Sequence, residues 1–194
     1  MARGAFLIIV GPSAVGKTTV VDRLLALVPS AVRLVTTTSR PPRPGEVDGR
    51  DYHFVSRDEF VAKRDNGEFL EWNEFCGYFY GSSKVVLDGL RASHLAVFAV
   101  LDVNGARAAK AAAPDSVTIF IRPDSMRELE RRLVQRPDCD PTQLAKRINR
   151  AVEEMVLATA FDYVVTNRDG HLDEAVQEIK DIVKVHMPDP SAGF

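Results

Sequence analysis

The sequence predicts a three-layer α/β/α sandwich built around a mainly parallel sheet, with a small β-rich insertion in its first half. Three observations predict it. The apolar run Phe6 to Val10 leads into Gly11-Pro12-Ser13-Ala14-Val15-Gly16-Lys17-Thr18-Thr19, and this leads into the helical run Thr18 to Val28: a strand, a loop and a helix in succession. Strand-like and helical stretches then alternate to the end of the chain, the pattern of a parallel sheet covered by helices on both faces. Between residues 36 and 83 the alternation is interrupted by prolines, turns and short strands, which marks the insertion.

Taken in order, the first helix places Val21, Leu24, Leu25 and Val28 on one face and ends at Pro29. Val32 to Val35 reads as a second strand. The segment Thr36 to Glu46 is rich in hydroxyls, Arg and Pro, and its prolines hold it as an extended loop. Arg50 to Ser56 alternates as a short strand, and Ser56-Arg57-Asp58-Glu59 is a capping box that opens a helix closing near Asn66-Gly67. Phe69 to Trp72 and Tyr78 to Gly81 are two further strands with a turn at Gly77. Core rhythm returns with a helix from Lys84 to Ala92, a strand from Ala96 to Leu101 ending at Asp102, and an Ala-rich helix up to Pro114. A strand from Val117 to Ile121 follows. Ser125 to Arg136 is a charged amphipathic helix broken at Pro137, and Asp140 with Pro141 restarts a helix, giving a hairpin that runs to about Thr159. The strand Asp162 to Val165, the helix His171 to Val185 and a loose tail from Met187 to Phe194 complete the chain.

The loop at Gly11 has a chemical meaning because of where it stands. Its glycines let the backbone wrap an anion so that successive N–H groups point inward, and the following helix adds the partial positive charge of its N-terminus. Lys17 can then reach the β- and γ-phosphates of a nucleoside triphosphate, and the Thr18 hydroxyl can ligate Mg²⁺. The loop alone does not separate a kinase from an ATPase. Arg40 and Arg43 in the extended loop, with Tyr52 and Tyr80 on short strands, suit a single phosphate monoester, although surface arginines are more often solvated. Glu71 alternates with Leu70 and Trp72, so it either faces solvent or caps a pocket. In a pocket it could accept both the N1–H and the 2-amino group of guanine. Thr36, Asp102 and Asn167 fall with Gly11 at carboxyl ends of strands, where open parallel sheets bind ligands.

Composition narrows the field further. A net charge of −2 argues against a nucleic-acid polymer as main partner, since that binding needs many unpaired cations. Two cysteines, Cys76 and Cys139, make neither a disulfide framework nor a metal-ligand spacing. The apolar start, Ala5 to Val10, is too short to span a membrane and lacks a signal-peptide cleavage pattern. A cytoplasmic protein of open oligomeric state is expected.

With these residues assembled, the chain up to about Val185 resembles a bacterial guanylate kinase. The resemblance rests on the phosphate loop, on Thr38-Ser39-Arg40 with Arg43-Pro44-Gly45-Glu46, on Gly49 to Val55, on Phe69-Leu70-Glu71-Trp72, and on Tyr80-Gly81-Ser82. It implies transfer of a phosphoryl group from MgATP to GMP. It further implies a core of residues 1–35, 84–126 and 159–186, a GMP-binding domain of residues 36–83, a lid of residues 127–158, and a tail of residues 187–194. Gly11 to Thr19 would bind ATP. Arg40, Arg43, Tyr52 and Tyr80 would hold the GMP phosphate, and Thr36, Glu71 and Ser82 the guanine. Asp102 would belong to the substrate and metal region, with Thr18 as the other metal ligand. Lys17, Arg40, Arg136 and Arg147 would be catalytic, the last two as lid arginines. The chain departs from the family pattern at Val100, where an acid is usual, at Arg136-Pro137-Asp138-Cys139-Asp140, and at Thr36, where Ser is common. A non-catalytic module of the same fold, or a kinase for another phosphorylated acceptor, are the competing expectations.

Overall fold

The computed structural model describes residues 3–75, 77–135 and 141–188, without the side chains of residues 141 and 143. A five-stranded, all-parallel sheet forms the centre, in the order β2 (Ala31–Arg33), β7 (Ala96–Val100), β1 (Ala5–Val10), β8 (Val117–Pro123), β9 (Tyr163–Asn167). All six residues of β1 are buried, because it is central and covered on both faces. The alternation along it divides the core in two. Ala5, Leu7 and Ile9 join α1 (Lys17–Leu27) and α7 (Leu172–His186) through Val20, Leu24, Ile179 and Val183. Phe6, Ile8 and Val10 join α3 (Lys84–Ser93) and α4 (Val103–Ala112) through Leu87, Val103, Ala106 and Ala109. The predicted three-layer sandwich is therefore the observed one.

The insertion is a four-stranded sheet in the order β4 (His53–Phe54), β3 (Thr37–Thr38), β6 (Tyr78–Ser83), β5 (Phe69–Phe75). Helix α2 (Arg57–Asp65) covers it through stacked Phe60, Phe69 and Phe79. The predicted cap is present, with the Glu59 N–H donating to Ser56 Oγ at 3.1 Å. Strand β3 falls inside the segment expected to be loop throughout. Its two threonines are buried, and the Thr38 hydroxyl donates to the Phe79 carbonyl at 2.9 Å, so long-range pairing overrides the loop signals of the surrounding prolines. The strand expected over Arg50 to Ser56 contracts to two residues. Its first half is instead a turn in which the Val47 and Phe54 amides bond the carboxylates of Asp51 and Asp48.

Helices α5 (Met126–Val134) and α6 (Pro141–Val156), followed by a 3₁₀ turn at Ala158–Ala160, form the predicted helical pair. Leu144, Ile148 and Ala151 seat α6 on one half of the core and Met155 on the other. Met187, expected to begin the loose tail, is only 4% exposed and packs against the core. Its apolar side chain finds room at the end of α7. Cys76, Cys139 and Arg136 lie outside the described residues, as does the stretch from Pro137 to Asp140.

Candidate functional site

Helix α1 opens on Gly16, and no side chain caps it or places an acid in its first turn. Its N-terminal amides and partial positive charge are thus left for an external anion. The loop geometry demands glycine at two places. Gly11 has φ of 140° and a Cβ there would stand 2.2 Å from the Ile121 carbonyl oxygen; Gly16 has φ of 97° and its Cβ would meet the Asn167 amide at 2.7 Å. Ala14 holds a left-handed φ of 65°, a conformation that costs a non-glycine residue energy and that the surrounding loop enforces. The Asn167 amide donates to the Val15 carbonyl at 2.8 Å and ties the loop to the end of β9. The Lys17 ammonium donates to the Gly11 and Pro12 carbonyls at 2.6 and 2.9 Å, at the mouth of the loop.

Lys17 also lines a cavity of about 230 Å³ that opens between the core, the inserted sheet and α6. Glu71 lines the same cavity. The strand alternation turns Trp72 outward, 45% exposed, and Glu71 inward, 5% exposed, so the carboxylate caps a pocket and does not face solvent. The Ser82 hydroxyl donates to Glu71 Oε1 at 2.7 Å, and Oε2 lies against Gly105 in the first turn of α4, within 3.0 Å of where a Cβ would stand. Thr36, Arg43, Tyr52, Tyr80 and Asp102 line the same cavity. Burial pushes the Tyr80 phenol above its ordinary value, helped by Tyr52 and opposed by Arg40, so it is a protonated donor at neutral pH. Arg40 is not part of that lining. It is buried behind it, with Nη2 donating to both Glu46 oxygens at 2.8 Å and Nη1 to the Pro41 carbonyl at 2.7 Å, while its centre lies 5.4 Å from the Tyr52 ring. The Arg43 amide bonds the same Glu46 carboxylate at 2.7 Å, so one acid shapes the whole arginine loop.

A second cavity, of about 750 Å³, adjoins the first and shares Ser13, Lys17, Arg43, Tyr52 and Val100 with it. Thr18, Thr19, Arg132 and Asn167 also line it. The two cavities thus meet at the phosphate loop.

Four polar or aromatic residues that the sequence reading passed over also line the first cavity: Asn73 and Phe75 at the end of β5, and Arg150 and Glu154 on α6. The helical spacing from Arg147 to Arg150 and Glu154 was a signal that could have found the last two. Asp102, expected beside a metal, has both oxygens engaged. Oδ1 accepts the Gly105 N–H at 2.8 Å, capping α4, and Oδ2 accepts from Asn73 at 2.7 Å and from Arg150 at 3.0 Å.

Burial, with the neighbouring Asp102 charge adding to it and the Ser82 hydrogen bond opposing it, pushes the Glu71 carboxyl up to about 7. Its ordinary value is 4.5, so between these two pH values the folded chain holds a proton at Glu71 that the unfolded chain has lost. Stability from this group is therefore greatest in acid and falls as pH rises through 7, by roughly 3 kcal/mol. Thermal melts of wild type and Glu71→Gln at pH 5 and pH 8 isolate it: the wild type should lose about 6 to 12 °C relative to the variant across that interval. A constant difference would mean that Glu71 ionises at its ordinary value.

Comparison with known proteins agrees with this geometry. The guanylate kinase family model matches residues 3–186. The guanylate kinase of Symbiobacterium thermophilum is 39% identical over 181 residues, which cover 93% of this chain and 85% of that protein. That of Myxococcus xanthus is 41% identical over 181 residues, covering 93% and 86%. The crystal structure of guanylate kinase from Anaplasma phagocytophilum superposes with a TM-score of 0.79 at 30% identity, covering 100% of this chain and 91% of that one. A phosphate loop facing a cavity with a buried carboxylate, a family match over almost the whole length and a shared fold lead to one assignment: the chain belongs to the guanylate kinase family.

Proposed function

We propose that this protein transfers the γ-phosphoryl of ATP to GMP, with the acceptor in the Glu71 cavity and the donor along the phosphate loop. The observation that carries the reading is the buried Glu71 carboxylate, lining a cavity that Lys17 of the phosphate loop also lines. As a carboxylate it accepts guanine N1–H and the 2-amino group together, two donors that adenine does not present, and Thr36 and Ser82 add hydroxyls beside it. Arg43, Tyr52 and Tyr80 hold the acceptor phosphate, with Arg40 stacked behind them. An oxygen of that phosphate attacks the γ-phosphorus in line. The bond from γ-phosphorus to the β,γ-bridging oxygen breaks, and its electron pair leaves with ADP. There is little covalent work for the protein, so the rate comes from alignment and from cancelling charge through the loop amides, Lys17, Arg147 and Arg136.

Among the described residues no group of three or more His, Cys, Asp or Glu is gathered for a metal. That fits Mg²⁺ carried by ATP, which keeps several waters and needs few protein ligands. The exposed Thr18 hydroxyl in the first turn of α1 would hold it, and the ion would neutralise β- and γ-phosphate charge. The Asp102 carboxylate, bonded to Gly105, Asn73 and Arg150, works through those partners in this reading. No helix among the described residues is long and apolar enough to cross a membrane, and both substrates are water-soluble, which supports a cytoplasmic reaction.

The test is ADP formation with ATP against a panel of nucleoside monophosphates and sugar phosphates. GMP should exceed AMP, CMP and UMP by about 10⁴ in kcat/KM, because a wrong base leaves the buried carboxylate unpaired. Equal rates with AMP, or no ADP from folded protein at saturating ATP and GMP, would refute the assignment.

A further inference from the structure

Helix α6 lies over the acceptor cavity with Arg147, Arg150 and Glu154 turned toward it, a stripe at i, i+3 and i+7, while Leu144, Ile148 and Ala151 face the core. Arg150 is held on three sides. Its guanidinium lies 4.2 Å from the centre of the Phe75 ring at the end of β5, Nη2 donates to Asp102 Oδ2 at 3.0 Å, and Nε donates to Glu154 Oε1 at 2.9 Å. One side chain thus joins α6, the inserted sheet and the core. Its anchors are themselves fixed. Asp102 caps α4 through Gly105, and Asn73, two residues before Phe75 on the same strand, donates to the same Asp102 oxygen at 2.7 Å.

We propose that Arg150 is a positioning residue for phosphoryl transfer: its ties to Phe75 and Asp102 hold α6 over the acceptor cavity, in the rotation that turns Arg147 toward the transferring group. A planar guanidinium that is stacked and bonded at two edges cannot rotate without losing these contacts together. A half-exposed pair adds little to global stability, so the ties act on where the helix sits more than on whether the chain folds. Arg147 lies three residues earlier on the helix and inherits that placement. The inference rests on the phosphotransferase reading, and its test therefore has one arm that needs no nucleotide.

In the kinetic arm, Arg150→Ala should lower kcat by about tenfold or more, the scale of a small misplacement of a catalytic group, while the KM for ATP and the melting temperature stay near wild type. In an Arg147→Ala background the same change should cost about twofold or less, because the group it positions is gone. Phe75→Leu, which keeps the apolar volume but removes the ring face, should reproduce part of the loss. Arg150→Lys should restore little, since an ammonium neither stacks nor bonds two edges as a plane. In the second arm, hydrogen exchange without nucleotide, the α6 amides should open about fivefold or more faster in Arg150→Ala and Phe75→Leu than in wild type. Equal rate losses in both backgrounds would make Arg150 a direct substrate contact and overturn the proposal; so would unchanged α6 exchange. Absence of GMP phosphorylation by the wild type would instead defeat the phosphotransferase reading, leaving the exchange arm to decide whether Arg150 holds the helix.

Discussion

Arg147→Ala should reduce turnover with ATP and GMP by about 10³ to 10⁵, the worth of an arginine delivered to a transferring phosphoryl group. The physical basis is timing of charge. Negative charge redistributes over the γ-phosphoryl only as the reaction proceeds, so a guanidinium placed there stabilises the transition state more than the bound substrates. Arg147 is set for this by its helix: α6 is amphipathic, its apolar side seats on the core, and the adjacent face, about a quarter-turn round, lines the cavity that Lys17 also lines. Binding of either nucleotide should be weakened far less than the rate, and the melting temperature should hardly move. Kinetics and calorimetry on one preparation check all three. In hydrogen exchange, ATP and GMP together should protect residues 141–150 more than either alone. A rate loss below about fivefold, equivalent to roughly 1 kcal/mol, would make Arg147 a surface cation with a local partner.

The second large effect belongs to Glu71. Glu71→Gln should lower kcat/KM for GMP by up to about 10⁴ and leave ATP binding near wild type. Glutamine keeps the shape but carries one acceptor oxygen and an NH₂ that meets one of the two guanine donors head on. The wild-type dependence on pH follows from the same group. With the carboxyl pushed up to about 7, it is increasingly protonated below that value, loses acceptor capacity, and should bind GMP more weakly as pH falls from 8 to 6. The acceptor phosphate titrates in the same range, so the measurement is the difference between wild type and Glu71→Gln, whose GMP KM should carry only the phosphate contribution. Identical pH profiles for the two proteins would remove Glu71 from base recognition.

These two residues differ in how they could be read from the chain. Glu71 was visible as an acid in an apolar strand, yet whether it faced water or a pocket depended on what packed against that side of β5. The structure supplies α4, whose Gly105 comes against the carboxylate, and Ser82 from the neighbouring strand. Arg147 was implied by the resemblance to guanylate kinases, whereas its companion Arg150 was not recognised. Asp102 was read as the residue at the end of a core strand and as part of the metal region; its bonds to Asn73 and Arg150 were not legible, because those partners stand 29 and 48 residues away in sequence.

By itself the sequence determined whatever depends on neighbours along the chain. The spacing of Gly11, Gly16, Lys17 and Thr18 makes an anion loop because backbone dihedrals and a helix N-terminus are local properties, set within nine residues. The continuous apolar run of β1 and the apolar stripes of the helices announced a covered parallel sheet for the same reason. Tertiary structure alone decided the contacts whose partners are distant in sequence. The strand at Thr37–Thr38 exists because β4 and β6 flank it, in a stretch whose local signals favour loop. The joining of Asn73, Phe75, Asp102 and Arg150 requires the insertion, the core and helix α6 to be folded together first. No local preference encodes that cluster, since its ion pair and ring stack gain energy only when the segments are already within a few ångströms of one another.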